Sequence, residues 1–279
     1  MPDTEKKEMS FLDHLEELRK RLFRAMIPVV FFTIIAFLYM DTIFKYVIIA
    51  PTKPDFWTYR MLCKLGDKMY LWFGIDNQIC VEKIDFALQS RTLTGQFTMY
   101  MTSGFVAGFV MAFPFFFWQL WKFIEPALNP TERSNARGGI AFVSILFFVG
   151  ILFGYYILSP LSINFLANFK IDESINNYFD VTSYISTLLM MILGCGIMFQ
   201  LPVVVYILSR LGIMTPGIMR KYRRHAIVVI LIVAAVLTPT PDFLTQTLVG
   251  TPIIILYELS IFISAAIERK KKIQLTKAD

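Results

Sequence analysis

Long uncharged apolar runs alternate with shorter polar segments along this chain of 279 residues. Four long apolar runs without a charge cover residues 25–40, 92–121, 138–169 and 181–209. A helix that crosses the hydrocarbon core of a bilayer needs about 20 predominantly apolar residues. The pattern therefore predicts four membrane-crossing helices.

Two further apolar stretches, residues 226–237 and 243–267, flank the turn TPTPD at 238–242. We interpret them as two short crossing helices joined by a tight turn, with Glu258 inside the second. The alternative is a re-entrant hairpin, because the 12 residues before the turn are few for a full crossing. In both interpretations the chain returns to the same side of the membrane.

The predicted architecture is an all-α membrane protein with six transmembrane helices, the last two short, in one polytopic domain over residues 1–279. The predicted spans are about 22–44, 97–121, 138–160, 184–209, 225–238 and 243–265. Lys and Arg are retained on the cytoplasmic side of a membrane, and six crossings place 19 of the 27 on the side of both termini. We therefore expect cytoplasmic termini and an extracytoplasmic loop over residues 45–96.

Composition agrees with this class, because 56% of the residues are hydrophobic and 17% are charged, against about 25% charged in soluble domains. The first apolar run is too long for the h-region of a cleavable signal peptide, and no small-residue cleavage pattern follows it. The acidic start, with Asp3, Glu5 and Glu8, differs from an organellar transit peptide. We expect a multi-pass protein of the bacterial inner membrane, surrounded by lipid.

The segment before the first span has the pattern of a cytoplasmic amphipathic helix. Its apolar residues recur at helical spacing and are Phe11, Leu15, Leu18 and Leu22. Glu16 with Lys20 and Glu17 with Arg21 form pairs four residues apart, each of which stabilises a helix by a few tenths of a kcal/mol, about 0.2 to 0.5. The two glutamates therefore have a structural interpretation beside any binding role.

Three other polar residues are open to two interpretations each. Glu132 follows Asn129 and Pro130 in the pattern that caps a helix start. Gln200, inside the fourth span, needs a hydrogen-bond partner on a neighbouring helix or on another protein. Glu258 is a functional candidate because it is ionisable within a span, unless it lies near the headgroups.

Cysteine positions raise the question of a disulfide. Cys63 and Cys80 both lie in the loop 45–96, whereas Cys195 lies in a span. Disulfides persist on the extracytoplasmic side, so a Cys63–Cys80 bridge is compatible with the sequence, although two cysteines in one loop fix no geometry.

Motifs of common enzyme classes are absent from the sequence. It contains no GxxxxGK[ST] loop, no dinucleotide glycine fingerprint and no HExxH, and its two histidines, His14 and His225, are far apart. We therefore expect no enzyme activity, catalytic residue, cofactor or metal, and no nucleic-acid partner.

Four stretches of the chain resemble the TatC family, the signal-peptide receptor subunit of the twin-arginine protein translocase. They are HLEELRKRL at 14–22, WKFIEPALNPTER at 121–133, FQLPV at 199–203 and LTPTPDFLTQTLVGTPIIILYELSIF at 237–262. They occur in the expected order and between the expected crossings, so the resemblance extends over nearly the whole chain. It is poor only within the large loop, from about residue 53 to residue 90.

The resemblance implies six helices with both ends in the cytoplasm and a mechanism without ATP. Members of this family recognise signal peptides with two consecutive arginines on folded cargo proteins. They assemble into multimeric complexes with small single-span TatA and TatB partners and use the proton-motive force.

The resemblance also implies a binding site. Its twin-arginine site is formed by two glutamates whose matching positions here are Glu17 and Glu132, and Phe123 matches an aromatic position tied to signal recognition. A guanidinium presents a planar fork that a carboxylate accepts bidentately, which a lysine cannot reproduce.

Further positions match with less definite roles. Pro51 matches a proline that shapes the concave wall, and Gln200 matches a membrane-embedded position that is Glu in many relatives and Gln in others. With an amide at that position, contact with a partner helix is a better interpretation than a proton relay. Asp242 lies in a turn with an extra residue between its prolines, compared with the usual family pattern.

Two other classes of function are the alternatives. A secondary transporter would line a midplane site with Gln200 and Glu258, but the sequence shows no internal repeat. A membrane scaffold or insertase would bind apolar segments without distinguishing arginine from lysine before them.

Overall fold

The computed structural model describes residues 11–64, 87–124, 136–172, 177–238 and 243–276, and every structural statement below concerns these ranges. Five helical segments are long and apolar enough to cross a membrane, and they are Glu16–Leu38, Gly95–Phe123, Gly139–Asn168, Val181–Arg210 and Thr245–Arg269. This confirms a multi-span helical membrane protein.

The α-helices, in chain order, are α1 (Phe11–Leu38), α2 (Met40–Ile43), α3 (Gly95–Ile124), α4 (Ala136–Phe153), α5 (Ser159–Asn168), α6 (Val181–Met198), α7 (Leu201–Arg210), α8 (Pro216–Lys221), α9 (Arg223–Leu237) and α10 (Phe243–Thr276). Two π-helical turns, Phe44–Ile48 and Gly154–Leu158, and a 3₁₀ turn, Ala50–Thr52, continue or connect them. Residues 57–64 are also helical.

The helices α1 and α3 pack antiparallel along their length. The Phe37 ring stacks on Tyr100 with centroids 5.6 Å apart, and Phe32 stacks on Phe115 at 5.9 Å. Between these contacts a Cβ added to Gly108 would lie 2.5 Å from the Thr33 Cα atom. No real side chain fits there, so glycine allows the two backbones to approach closely, as in other small-residue helix contacts in membranes.

The third crossing is one continuous helical segment, because a π-helical turn joins α4 to α5. It extends beyond the predicted end at residue 160, to Asn168. Gly150 and Gly154 face α6, where an added Cβ would lie 2.7 Å from the Cys195 carbonyl oxygen and 2.9 Å from the Met191 carbonyl oxygen, respectively. Two glycines four residues apart thus bring this crossing against α6.

The fourth crossing is interrupted between α6 and α7. Phe199 and Gln200 separate the two helices, and Pro202 is in the first turn of α7. A proline has no backbone N–H to donate to the carbonyl four residues earlier, which accounts for the break at this point.

The last two helices differ from each other in length. The α9 helix has 15 residues, about 22 Å at 1.5 Å per residue, and is too short to be one of the five segments above. The α10 helix has 34 residues and continues to Thr276. This corrects the expectation that both last helices are short, because the charged residues 268–272 extend α10 beyond its apolar part. The predicted membrane span 243–265 stays a prediction.

A small parallel sheet, absent from the all-α prediction, joins distant segments on the side where α1 ends. Strand β1 (Ala87–Gln89) pairs with β2 (Tyr178–Asp180) in the register Ala87 to Tyr178 and Gln89 to Asp180. The Asp180 carboxylate accepts hydrogen bonds from the backbone N–H of Arg91 at 3.1 Å and of Thr182 at 3.1 Å. The second bond caps the start of α6.

Asp180 gives a pH-dependent prediction. The Arg91 backbone N–H, followed by those of Ser183 and Thr182, holds the pKa of this carboxyl below its ordinary value. A carboxyl with a lowered folded-state pKa stabilises the fold above its unfolded pKa, and that contribution is lost as the pH falls through the folded value. Asp180→Ala should therefore lower the melting temperature at pH 7, and the difference from wild type should shrink toward pH 3.

The matched control is Asp180→Asn, which keeps a capping oxygen but cannot titrate. It should retain much of the melting temperature and lose the pH dependence. A difference between wild type and Asp180→Ala that stays constant from pH 7 to pH 3 would contradict the charge-assisted role of this cap.

Candidate functional site

Two ion pairs lie on the first turns of α1, as the four-residue spacing predicts. Arg21 donates two hydrogen bonds to one carboxylate oxygen of Glu17, Oε1, from Nε at 2.9 Å and from Nη2 at 2.5 Å. Lys20 Nζ lies 2.7 Å from Glu16 Oε1. The pairs differ in exposure, because the side chains of Arg21 and Glu17 are 21% and 25% exposed, whereas those of Lys20 and Glu16 are 62% and 58% exposed. Glu17 is therefore the more sheltered carboxylate.

A narrow cleft between α1 and α3 lies beside the Glu17–Arg21 pair. Arg21 and Phe123 both line this cleft, together with Leu18, Leu22, Ala25, Phe116, Gln119 and Leu120. The antiparallel packing brings the start of α1 to the end of α3, so residues more than 100 positions apart share one surface. The structure thus brings Phe123 beside Arg21, the partner of Glu17.

Glu132 lies outside the described residues, and its role in this site stays a prediction. Lys122, which precedes Phe123, lies 4.1 Å above the Trp118 ring centroid in a cation–π contact. Among the described residues no three His, Cys, Asp or Glu side chains come together as a metal site.

Gln200 lies at the break between α6 and α7 and contacts α4. Its Nε2 donates to the Val143 carbonyl oxygen over 3.4 Å. Its Oε1 is buried and has no hydrogen-bond partner among the described residues. The internal helix-to-helix bond therefore uses one end of the amide, while the buried acceptor end has no partner among the described residues, which is costly away from water.

Glu258 pairs with the start of the neighbouring helix. Arg223, the first residue of α9, has its Nε 2.5 Å from Glu258 Oε1, and the Arg223 side chain is 57% exposed. Next to it, the Tyr257 hydroxyl donates to the Met219 carbonyl oxygen over 2.9 Å. Gln200 and Glu258 thus have different partners on different helices, which gives no support to a shared midplane site.

Pro51 belongs to a network on the opposite side, which the sequence analysis missed. The buried Tyr59 hydroxyl lies 3.0 Å from the Pro51 carbonyl oxygen and 2.9 Å from that of Pro160, and it can donate to either. Tyr155 donates to the Val47 carbonyl oxygen over 2.9 Å. Burial raises the pKa of Tyr59, so its hydroxyl stays protonated and able to donate. These tyrosines hold the segment after α2 against the third crossing.

The cysteines are in different states. Cys63 is disulfide-bonded, and Cys195 is free and buried. Cys80 and Asp242 lie outside the described residues, so the pairing of Cys63 with Cys80 and any role of Asp242 stay predictions.

The fold defines a multi-span helical membrane protein with a narrow, mostly apolar cleft between its first two long helices and a sheltered ion pair beside it. The family described as Sec-independent protein translocase protein (TatC) matches residues 13–252 of the chain. The chain therefore belongs to the TatC family.

Similar proteins of known sequence or structure also carry the TatC name. The Sec-independent protein translocase protein TatC of Blattabacterium sp. subsp. Periplaneta americana is 39% identical, over 96% of this chain and 99% of that protein. The protein TatCy of Bacillus subtilis is 32% identical, over 94% of this chain and 91% of that protein. A crystal structure of the twin-arginine translocase receptor TatC in DDM superposes with a TM-score of 0.69 at 28% identity, over 90% of this chain and 99% of that chain.

The thiols give a direct prediction. If Cys63 pairs with Cys80, denatured but unreduced protein should expose one alkylatable thiol, that of Cys195. Closing a loop of this size stabilises a fold by about 3 kcal/mol in the chain-entropy model. Mass spectrometry after alkylation measures the count, and Cys80→Ser should raise it to two. Three reactive thiols in the wild-type chain would contradict the pairing.

Proposed function

We propose that this chain is the receptor component of a twin-arginine translocase. It binds the twin-arginine signal peptides of folded cargo proteins at its cytoplasmic face. It then assembles with single-span partners of the TatA and TatB type into a multimeric complex that exports the cargo with the proton-motive force. Membership of the TatC family supports this function, and the sheltered Glu17 beside the cleft is the observation that carries it.

The proposed topology has six crossings, with α9 and α10 as the last two, and both termini in the cytoplasm of a bacterial cell. Its support is the distribution of Lys and Arg, 19 of 27 on the proposed cytoplasmic side. The α9 helix is short for a full crossing, but local thinning of the bilayer accommodates short spans at modest cost. The segment around Pro51 then lies on the extracytoplasmic side.

The binding chemistry follows from the two proposed carboxylates. Each arginine of the signal presents a planar fork of N–H donors to one carboxylate, Glu17 or Glu132. Phe123 offers an apolar face for the residues that flank the arginines. Partial exclusion of solvent strengthens a charge-assisted bond relative to the same bond in bulk water, which favours Glu17 over the exposed Glu16. Two acceptors account for the requirement for two consecutive arginines.

Removal of Glu17 should weaken binding of a twin-arginine signal peptide. The loss of one partner of a partly shielded, charge-assisted pair costs about 1.5 to 3 kcal/mol, which corresponds to roughly a ten- to hundredfold loss of affinity. Titration of a labelled peptide against detergent-solubilised Glu17→Ala measures it, and Glu132→Ala should behave alike. The matched control is Glu16→Ala, which removes the same charge one position away and should change affinity less than threefold, about 0.6 kcal/mol.

Equal effects of Glu16→Ala and Glu17→Ala would assign both residues to helix stability alone. A peptide in which lysines replace both arginines separates the alternatives, because an insertase should bind both peptides equally. A small-molecule transporter should instead catalyse uptake into proteoliposomes without any partner protein.

Gln200 is proposed as a contact for the transmembrane helix of a partner. Its Oε1 is buried and lacks a hydrogen-bond partner among the described residues, so a partner helix that offers a donor at this depth would satisfy it once the half-buried side chain turns toward that helix. The bond to Val143 is long and engages only Nε2. An interhelical bond of this kind contributes about 0.6 to 2 kcal/mol, which suits reversible assembly. An amide does not titrate, so we do not assign Gln200 to proton transfer.

The expected result for Gln200→Leu is weaker crosslinking to the partner helix and less cargo export, with signal-peptide affinity nearly unchanged. Gln200 lies ten residues before the end of α7, about 15 Å along the helix axis, which separates it from the signal-binding end of the bundle. Gln200→Glu should keep much of the activity, since a protonated carboxyl both donates and accepts. Normal export by Gln200→Leu would make Gln200 an internal packing residue.

Structural roles are proposed for two of the remaining candidates. Pro51 shapes the extracytoplasmic wall through the Tyr59 hydroxyl, and Glu258 joins α10 to α9 through Arg223 near the cytoplasmic headgroups.

A further inference from the structure

The carboxylate proposed to accept a signal arginine already holds a guanidinium of its own chain. Arg21 places Nε and Nη2 at 2.9 Å and 2.5 Å from Glu17 Oε1. About a fifth of the Arg21 side chain is exposed, at 21%, so the contact is sheltered from water. An incoming arginine therefore meets an occupied site.

The geometry of the Arg21–Glu17 contact allows another guanidinium to replace Arg21. Both Arg21 nitrogens bind a single oxygen of Glu17, whereas the strongest guanidinium–carboxylate pairs form two parallel bonds to both oxygens. A guanidinium from a separate peptide is not attached to the same helix as Glu17 and can approach so that it uses both oxygens.

The position of Arg21 also ties it to the rest of the site. Arg21 lines the same cleft as Phe123 and Gln119, so its side chain lies close to the aromatic residue proposed to contact the signal peptide. Because Arg21 is attached to the same helix as Glu17, its local concentration is constant and does not depend on the amount of protein.

We propose that Arg21 is an internal competitor for Glu17, which the signal arginine must displace from the carboxylate on binding. This inference rests on the proposed function of Glu17. The apparent affinity of a ligand falls by the fraction of receptor in the competent state. With the strength typical of partly exposed pairs, Glu17 is free in only a fraction of molecules, so removal of Arg21 should increase affinity about two- to sixfold.

The competitor has a further consequence for specificity. Arg21 competes equally with every ligand for the Glu17 carboxylate. Its removal should therefore raise the affinity of a twin-arginine and a twin-lysine peptide by the same factor. The ratio between the two affinities should therefore stay at its wild-type value, while the threshold for productive binding falls.

The test uses the full-length protein in detergent and a fluorescent twin-arginine signal peptide. Arg21→Gln and Arg21→Met both remove the competing charge, and the second keeps the apolar stem that packs in the cleft. Lys20→Gln is the matched control, because it removes the same charge from the exposed pair with Glu16. We expect a two- to sixfold gain in both Arg21 variants, about 0.4 to 1 kcal/mol, and no comparable gain in Lys20→Gln. The double variant with Glu17→Ala should lose the gain.

The outcomes separate the competitor from the site itself. An equal gain in Lys20→Gln would assign the effect to net charge and overturn the inference. Unchanged or lower affinity in both Arg21 variants would also overturn the inference. The melting temperature then distinguishes a lost binding contact from a lost fold. If Glu17→Ala alone leaves peptide affinity unchanged, the proposed site fails, and the competitor fails with it.

Discussion

The close contact between α1 and α3 fixes the position of the residues that form the candidate site. At its centre the backbones meet at Gly108 and Thr33, where an added Cβ would lie 2.5 Å from the Thr33 Cα atom. A second glycine, Gly104, accommodates the Phe37 ring. Glu17 lies 16 residues before Thr33, about 24 Å along α1, so a change of spacing at the centre would move the carboxylate relative to Phe123. The binding end depends on packing deep within the bundle.

The same contact explains why one of two adjacent glutamates is chemically distinct. On a helix, neighbouring side chains diverge by about 100°, so Glu17 and Glu16 lie on different faces of α1. Their side-chain exposures, 25% and 58%, follow from that rotation. A sheltered carboxylate must keep a charged partner, because an unpaired charge out of water is costly. Arg21 supplies that partner within the chain, which stabilises the site when no peptide is bound.

Much of the architecture was predictable from the sequence, because bilayer thickness imposes long apolar runs. The spans around residues 97–121 and 184–209 lie within α3 and within the α6–α7 segment. The pairs of Glu16 and Glu17 with Lys20 and Arg21 follow from local helical spacing and are confirmed. The extension of α10 was missed because the prediction named membrane spans alone, and charged residues continue a helix in water beyond such a span.

What the sequence left open depends on contacts between distant segments. The pairing of β1 with β2 joins residues about 90 positions apart, and Tyr59 reaches Pro160 across 101 positions. No local pattern encodes such contacts. The choice of Glu17 over Glu16 came from family resemblance, and the lower exposure of the Glu17 side chain is a physical difference between the two. The partner of Gln200 on α4 was also unpredictable, because an amide in a span indicates only that some partner exists.

The central claim is the proposal that a twin-arginine signal peptide binds at Glu17, on the surface where the start of α1 meets the end of α3, and photocrosslinking from that surface tests it most directly. A benzoylphenylalanine at position 123, or at position 119, is irradiated in membranes with a twin-arginine peptide or its twin-lysine counterpart. Phe105, an exposed residue nearer the other end of the same helix, is the control position. The account predicts labelling of the twin-arginine peptide from positions 123 and 119, little labelling of the twin-lysine peptide, and none from position 105. Equal labelling of both peptides, or labelling from position 105 alone, would contradict it.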